Sequence, residues 1–378
     1  MTYSVYQHWD PLKVCIVGRS YPPEFYSWIT VPHVRSLFEK IAIETEEDYQ
    51  AIIKKLESFG VEVLRPYLPE ESVVNGKYLL PPMMPRDHTV MIGEIFYSNI
   101  NNYNFQYFYW NIRQPNWPDC ENAEDIQNLP IDIKKICNKK HNDYLKQLQN
   151  TGYNNIFKYI ESQEVVIKTF VDSHIAGPMV SRIGKDLYFG TYNYKEDTVN
   201  LEKIVNNEFK NTRNHIVNTG GHSDGTYCPV CPGLIISLYD IPSYKNTYPD
   251  WEIIYLPGSN LNKLREFKKA KKKNKGKWWI PGFESDQDVI DLVELSLNNW
   301  TGYVEETVFD VNMLIIDPKN VLVFNYNKQV FDALDRYGIT PHIVLFRHRY
   351  FWDGGIHCVT SDLHREGAMQ DYFPERNQ

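Results

Sequence analysis

The chain is predicted to adopt an α/β architecture built from repeated β-hairpins around one central cleft, and three observations point to it. Strand-length apolar runs alternate with amphipathic helical segments, as in α/β proteins. Hairpin signals recur, each around a turn-forming Gly, Pro or Asp. A polar or charged group stands just before each hairpin, so successive strands would deliver functional side chains to a shared centre.

The ends of the chain are the clearest. Residues 14–18 (VCIVG) read as a buried strand, followed by a loop around Pro22 and Pro23. A helix comes next, with Thr45 as its cap, Asp48 in the capping-box position and Gly60 as its stop. Tyr49, Ile52, Ile53, Leu56 and Phe59 recur at helical spacing along it. Residues 61–64 alternate as a strand does. A second helix is predicted after Ser285, with Asp288 completing its cap. A third carries Val330, Phe331, Leu334 and Tyr337 and stops at Gly338, ahead of a strand over residues 342–346.

Between these lie hairpins over residues 90–97 around Gly93, 179–190 around Gly184, and 313–324 around Asp317 and Pro318. A further strand over residues 234–239 follows Pro232 and Gly233. The polar groups that lead into the strands are Asp87, Asp172, His222 with Asp224, Asp310, and His357 with Cys358. Residues 98–165 break the pattern. They are read as an elaborated insertion with one helix over residues 138–149, and the whole chain, 1–378, as a single domain. The aromatics between Tyr103 and Trp117 form either a cleft wall or a side cluster under a long loop, the second being the commoner arrangement.

Length and composition narrow the function classes. A chain of 378 residues accommodates two or three domains or one large closed α/β unit. With 42% hydrophobic and 23% charged residues it matches an average globular protein. That excludes intrinsic disorder, collagen and a disulfide-stapled mini-protein. No apolar run approaches the roughly 18 residues of a membrane span, and no secretory signal opens the chain. Six irregularly spaced cysteines fit a reducing cytosol, so a cytoplasmic location is expected. A net charge of −8 weighs against general nucleic-acid binding.

Three segments carry candidate chemistry. In GGIHCVTSDLH, Gly354 and Gly355 bring the backbone close to Cys358, and His357 precedes the thiol. A cysteine nucleophile needs a thiolate and a nearby acid/base; a buried core cysteine is the plainer reading. In GGHSDGT, His222 and Asp224 would face one side of an extended stretch, as an acid/base beside an anchor for a cation or as an ordinary polar turn. In MPRDH, Asp87 is either a ligand group or a structural partner of Arg86. Together they suit one substrate class. A guanidinium is planar and permanently cationic, and carboxylates hold it best. Breaking one of its C–N bonds calls for carboxylates, a thiolate and a proton donor to the leaving amine. Asp87, Asp224, His222 and Cys358 would make that set, with Asp172 as a further carboxylate.

The same segments resemble the amidinotransferase family, which includes arginine:glycine and inosamine-phosphate amidinotransferases. YQHWDPLKVCIVGR at the start, MPRD, HSDGT with PGLIISLYD, NMLIID and GGIHCVTSDLHREG match in collinear order. The resemblance implies a five-bladed α/β propeller of the guanidino-modifying pentein superfamily, working without metal or organic cofactor and often as a homodimer. It implies Cys358 as nucleophile and His222 as general acid/base, with Asp87 and Asp224 binding the guanidinium; Arg86 is also expected among the substrate-binding residues. Arginine would donate the amidino group through a covalent intermediate on Cys358, releasing ornithine, and glycine or another primary amine would accept it.

Two departures stand out. Relatives carry a Phe-Asp-Ala-Ala-Asp run before the hairpin that appears here as RIGKD, and Asp172 can take that role only with an insertion. Asp310 stands where relatives tend to have a small hydroxyl residue, and is expected to bind substrate, favouring a cationic acceptor. An arginine deiminase-like hydrolase and a catalytically weakened guanidino-compound binder are the rival readings. The Cys228/Cys231 pair lacks a second ligand pair for zinc and reads as two loop cysteines. The seven lysines over residues 268–277 read as a solvated loop.

Overall fold

The computed structural model describes residues 3–69, 72–74, 77–98, 116–118, 129–137, 152–169, 175–191, 195–239, 244–256, 265–273, 277–298, 300–301 and 308–377. The strands in chain order are β1 (Leu12–Val17), β2 (Glu62–Leu64), β3 (Val73–Val74), β4 (Lys77–Tyr78), β5 (Thr89–Ile92), β6 (Ile95–Ser98), β7 (Val166–Thr169), β8 (Val180–Ile183), β9 (Asp186–Thr191), β10 (Arg213–Asn218), β11 (Tyr227–Cys231), β12 (Leu234–Ser237), β13 (Glu252–Tyr255), β14 (Leu314–Asp317), β15 (Asn320–Val323), β16 (Thr340–Ile343) and β17 (Thr360–Arg365). Apart from the β3–β4 pair they form five three-stranded sheets.

One plan repeats in all five. Two strands pair antiparallel, and the third runs parallel to its neighbour: β5-β6-β7, β8-β9-β10, β11-β12-β13 and β14-β15-β16. A parallel return needs a crossover, and a helix supplies each one: Asn154–Ser162, Lys195–Glu208, Tyr244–Thr247 and Lys328–Arg336. The fifth sheet joins the two ends of the chain. β17 pairs antiparallel with β1, and β1 pairs parallel with β2 across helix α1 (Pro32–Glu57). The ends therefore close on each other, and the expected pseudo-fivefold repeat is present as five sheets of the same ββαβ plan.

Several local expectations move. The helix α1 begins at Pro32, whose missing N–H costs nothing at the first helical position, rather than at Thr45. Thr45 and Asp48 are buried inside it. Thr45 Oγ1 accepts a hydrogen bond from Trp352 Nε1 at 2.9 Å, and Asp48 accepts from the Arg347 backbone N–H at 2.7 Å. Their capping-box spacing reflects tertiary partners, which the sequence pattern cannot separate from a cap. Gly60 does end the helix region, at φ +74. In the second helix, Asp286 rather than Ser285 is the cap, accepting from the Val289 N–H at 3.1 Å. The strand expected over 342–346 is β16, two residues earlier.

The helix Asn154–Ser162 is the crossover of the β5-β6-β7 sheet, so that part of the expected insertion belongs to the repeat. The helix expected over residues 138–149 and most of the aromatic stretch lie outside the described residues. Cys228 and Cys231 are in β11, not in a loop, and both are buried and free. Burial pushes their thiols up to about 12 and about 11, away from thiolate ligands. Among the described residues the one group placed to share an ion, His33 with Asp286 and Asp288, contains neither. The lysine run opens as a helix, Arg265–Lys273, which buries Phe267 and Ala270 against Trp279 and turns Lys268, Lys269, Lys272 and Lys273 outward. No described helix is long and apolar enough to cross a membrane.

What ties the sheets together at the centre is one carboxylate. Asp362 in β17 is fully buried and receives Arg182 Nη2 at 2.8 and 2.9 Å and Arg365 Nε at 2.6 Å, while Arg86 Nη1 lies 2.7 Å away. The same guanidiniums reach backbone carbonyls of other sheets: Arg182 to Met91 at 2.6 Å, and Arg365 to Ile315 at 2.9 Å. Burial alone would raise the Asp362 carboxyl's pKa, but the three cations hold it well below the usual range. Removing the carboxylate strands buried cations, so Asp362→Ala should cost about 3–5 kcal/mol. Urea unfolding reads this; an unchanged midpoint with an unchanged slope would remove the cluster's structural role.

Candidate active site

Three of the lead-in segments meet beside β17. The turn before β11 carries His222 and Asp224, the short helix Val308–Val311 before β14 carries Asp310 with Asn312 just after it, and the tight turn before β17 carries His357 and Cys358. Asp87 sits in the four-residue helix Pro85–His88 before β5, whose Arg86 backbone N–H donates to the Cys358 carbonyl at 3.3 Å.

Cys358 is buried, 7% exposed. Its Sγ lies 3.7 Å from Asp224 Oδ2 and accepts a hydrogen bond from Asn312 Nδ2 at 3.1 Å. Asp224 Oδ2 is also 2.8 Å from His357 Nδ1. Asp224 Oδ1 is buried with no hydrogen-bond partner among the described residues. Burial would raise the Asp224 pKa, but the hydrogen bond from His357, aided by the charges of His222 and Arg86, brings it down, so the carboxylate is ionised. His357 is shifted down, first by burial and then by the charge of Arg86, with Asp224 opposing. A neutral imidazole with Nδ1–H pointing at Asp224 is the arrangement this favours.

The remaining expected residues are placed as follows. His222 is exposed and near enough that its charge lowers the pKa of both Asp87 and Asp224. Burial raises the Asp87 carboxyl, and the Asp224 charge adds to that while His222, His88 and Arg86 oppose it. The Arg86 guanidinium is directed to Asp362 and the Thr360 carbonyl. Asp310 is buried and accepts from Asn327 Nδ2 at 2.9 Å; Asn327 Oδ1 in turn caps the helix Lys328–Arg336. Asp172 lies outside the described residues.

The structure also supplies a residue the sequence reading passed over. Asn312 is fully buried and contacts four groups of this cluster. The rule that found Asp310, a polar group just ahead of a strand, applies equally to Asn312 two positions on, and charge alone drew attention to the aspartate. Beneath the Asp224–His357 pair is a small cavity lined by His8, Cys228 and Arg365. His8 there accepts the Arg182 backbone N–H at 3.1 Å, and burial holds its imidazole well below the usual range.

The cluster brings a buried thiol, the ionised Asp224 carboxylate and the His357 imidazole together, and proteins of known activity share the frame. Glycine amidinotransferase of Xenopus laevis is 21% identical over 97% of this chain and 84% of its own length. No family model matches the chain. Among solved structures, the amidinotransferase SxtG of the saxitoxin pathway of Microseira wollei superposes with a TM-score of 0.62 at 16% identity, covering 98% of this chain and 99% of that one. Inosamine-phosphate amidinotransferase of Streptomyces griseus gives 0.60 at 16% identity over the same shares. The chain is thus similar to amidinotransferases over nearly its whole length and shares their fold. By that shared fold the five ββαβ sheets are the blades of a propeller of the same kind, and the Cys358 cluster lies where the blade starts converge.

The thiol's environment sets its chemistry. Burial raises the Cys358 pKa well above its usual value, the Asp224 and Asp87 charges raise it further, and the Gly355 backbone and the Asn312 amide pull the other way. The resting thiol is therefore protonated at neutral pH. Alkylation of Cys358 by iodoacetamide should be slow there and should speed up as pH rises, followed by peptide mass spectrometry across about pH 6 to 10. Asp224→Asn removes a negative charge that disfavours the thiolate, so its curve should move to lower pH. A curve that stays in place would contradict this electrostatic account.

Proposed function

We propose that the protein transfers the amidino group of L-arginine to an acceptor amine through an amidino-thioether on Cys358, releasing ornithine. The observation that carries the reading is the contact of Cys358 Sγ with Asp224 and Asn312, beside a carboxylate oxygen, Asp224 Oδ1, that is buried and unpartnered among the described residues. A buried carboxylate held ionised beside a thiol favours a cationic substrate, and a guanidinium offers N–H donors in the plane that carboxylates bind.

In this reading Asp224 and Asp87 hold the guanidinium, with its central carbon facing the sulfur. The positive charge of the bound substrate offsets the two carboxylates that keep the thiol protonated, and the thiol proton passes to His222. The sulfur attacks the central carbon and a C–S bond forms. The bond to the ornithine δ-nitrogen breaks as His222 returns a proton to the departing amine. The acceptor amine then attacks the same carbon and loses a proton to His222. The C–S bond breaks, the sulfur leaves as thiolate, and His222 passes its proton to the sulfur, which restores the resting thiol. Arginine and the amine become ornithine and a new guanidino compound, with no other reactant needed. Asp172 is kept as a further carboxylate of the set, Asp310 as the residue bordering the acceptor, and Arg86 as a member of the Asp362 cluster that fixes the neighbouring Asp87. Glycine and other primary amines are the acceptors to try, and a homodimer is the assembly the family suggests.

The test is a product assay with arginine labelled at the guanidino carbon and a pool of amines. Ornithine with a labelled guanidino product is expected, with an amidino adduct on Cys358 when no acceptor is supplied. Both should vanish in Cys358→Ala, and His222→Ala should lower turnover by about a hundredfold or more. Citrulline and ammonia in place of ornithine would replace this reading with a guanidine hydrolase. Tight guanidine binding with neither product nor adduct would replace it with a binding protein.

A further inference from the structure

The four contacts of Asn312 determine which way its amide points. The backbone N–H groups of His357 and Cys358, at 2.8 and 3.2 Å, can only donate, so the atom facing them is the oxygen. The Asp224 carbonyl, at 3.1 Å on the other side, can only accept, so the atom facing it is the NH2 group. That same NH2 carries its second hydrogen to Cys358 Sγ at 3.1 Å. The side chain thus joins the turn that holds Asp224 to the turn that holds the thiol, and it presents a donor to the sulfur. Gly355, ahead of Cys358, makes room for it. A Cβ on Gly355 would sit 2.2 Å from Asn312 Oδ1 and 2.5 Å from its Cγ, a separation no side chain occupies without displacing the amide.

We propose that Asn312 is the positioning residue for the Cys358 sulfur, fixing it against Asp224 and donating the hydrogen bond that receives its negative charge when the thiolate forms. This rests on Cys358 being the nucleophile. The amide is suited to the task because it is neutral. A lysine or arginine at this point would hold a thiolate more strongly but would repel the guanidinium that must arrive beside it, and would pair with the Asp224 carboxylate needed for binding. An amide donor supports the anion of the sulfur without competing for either carboxylate. Its oxygen meanwhile satisfies two backbone donors of the tight turn, which would otherwise be buried without partners.

Two substitutions test this without adding charge. Asn312→Ala deletes the donor, and Gly355→Ala displaces the amide from the opposite side while leaving it in the sequence. A hydrogen bond to a charged group is worth roughly a tenfold effect or more. Each folded variant should therefore show its Cys358 alkylation curve moved upward by about one pH unit or more, and kcat for amidino transfer lowered about tenfold or more with the KM for arginine little changed. Thermal melting identifies which variants fold. A role confined to stability would lower the melting temperature and leave the alkylation curve of the folded protein in place; a folded Asn312→Ala or Gly355→Ala protein with the wild-type curve overturns the proposal. The functional reading fails separately. If wild-type Cys358 takes up no amidino group from arginine, that reading is lost, while the alkylation curves still decide whether Asn312 supports the thiolate.

Discussion

Three guanidiniums on one buried carboxylate are the constraint from which the rest of this molecule takes its geometry. Asp362 lies in β17, four residues beyond Cys358, and its partners come from the segment before β5, from β8 and from β17 itself. Each guanidinium is planar, so satisfying the carboxylate fixes the orientation of the backbone behind it. Arg182 also binds the carbonyl of Met91, and Arg365 those of Asp10 and Ile315. One side chain therefore sets the mutual positions of four sheets. Burying an incomplete set would leave uncompensated charge at the centre, which makes the arrangement close to all-or-none.

That constraint reaches the candidate site through two routes. Arg86 is anchored by Asp362, and the next residue is Asp87, so the carboxylate's position follows from the ion pair. The Arg86 backbone N–H also binds the Cys358 carbonyl, which docks the β5 lead-in on the cysteine turn. The charge of Arg86 then helps keep His357 neutral and Asp224 ionised. Scaffold and site are thus one electrostatic system. Its central feature is an opposition: two carboxylates beside a thiol disfavour the thiolate, and a neutral amide and a backbone group favour it. Such a site is poorly balanced when empty and better balanced with a cation in it.

Much of this was legible in the chain itself. The hairpins around Gly93 and Gly184 appear where the turn residues place them, with both glycines at positive φ. Cys358, Asp224 and His357 are brought together as lead-in residues of different sheets. The misreadings share a cause. Thr45 with Asp48 looked like a cap because a short-range spacing was all there was to read, and the true partners, Trp352 and Arg347, are some 300 positions away. Cys228 and Cys231 read as loop cysteines from their isolated spacing alone, yet β11 pairs through that segment with an irregular register.

The sequence by itself determined the repeat of hairpin and crossover helix, the polar residues at the strand starts and the collinear segments that resemble amidinotransferases. These are local properties, set by periodicity, turn chemistry and residue identity within a few positions. The tertiary structure decided which of those polar residues meet. It closed β17 on β1, turned Arg86 toward Asp362, gave Asp310 to Asn327, and brought Asn312 to the sulfur through the space left by Gly355. Those outcomes depend on contacts between residues far apart in the chain and on the exclusion of water around buried charge, and neither has a signature in the order of neighbouring residues.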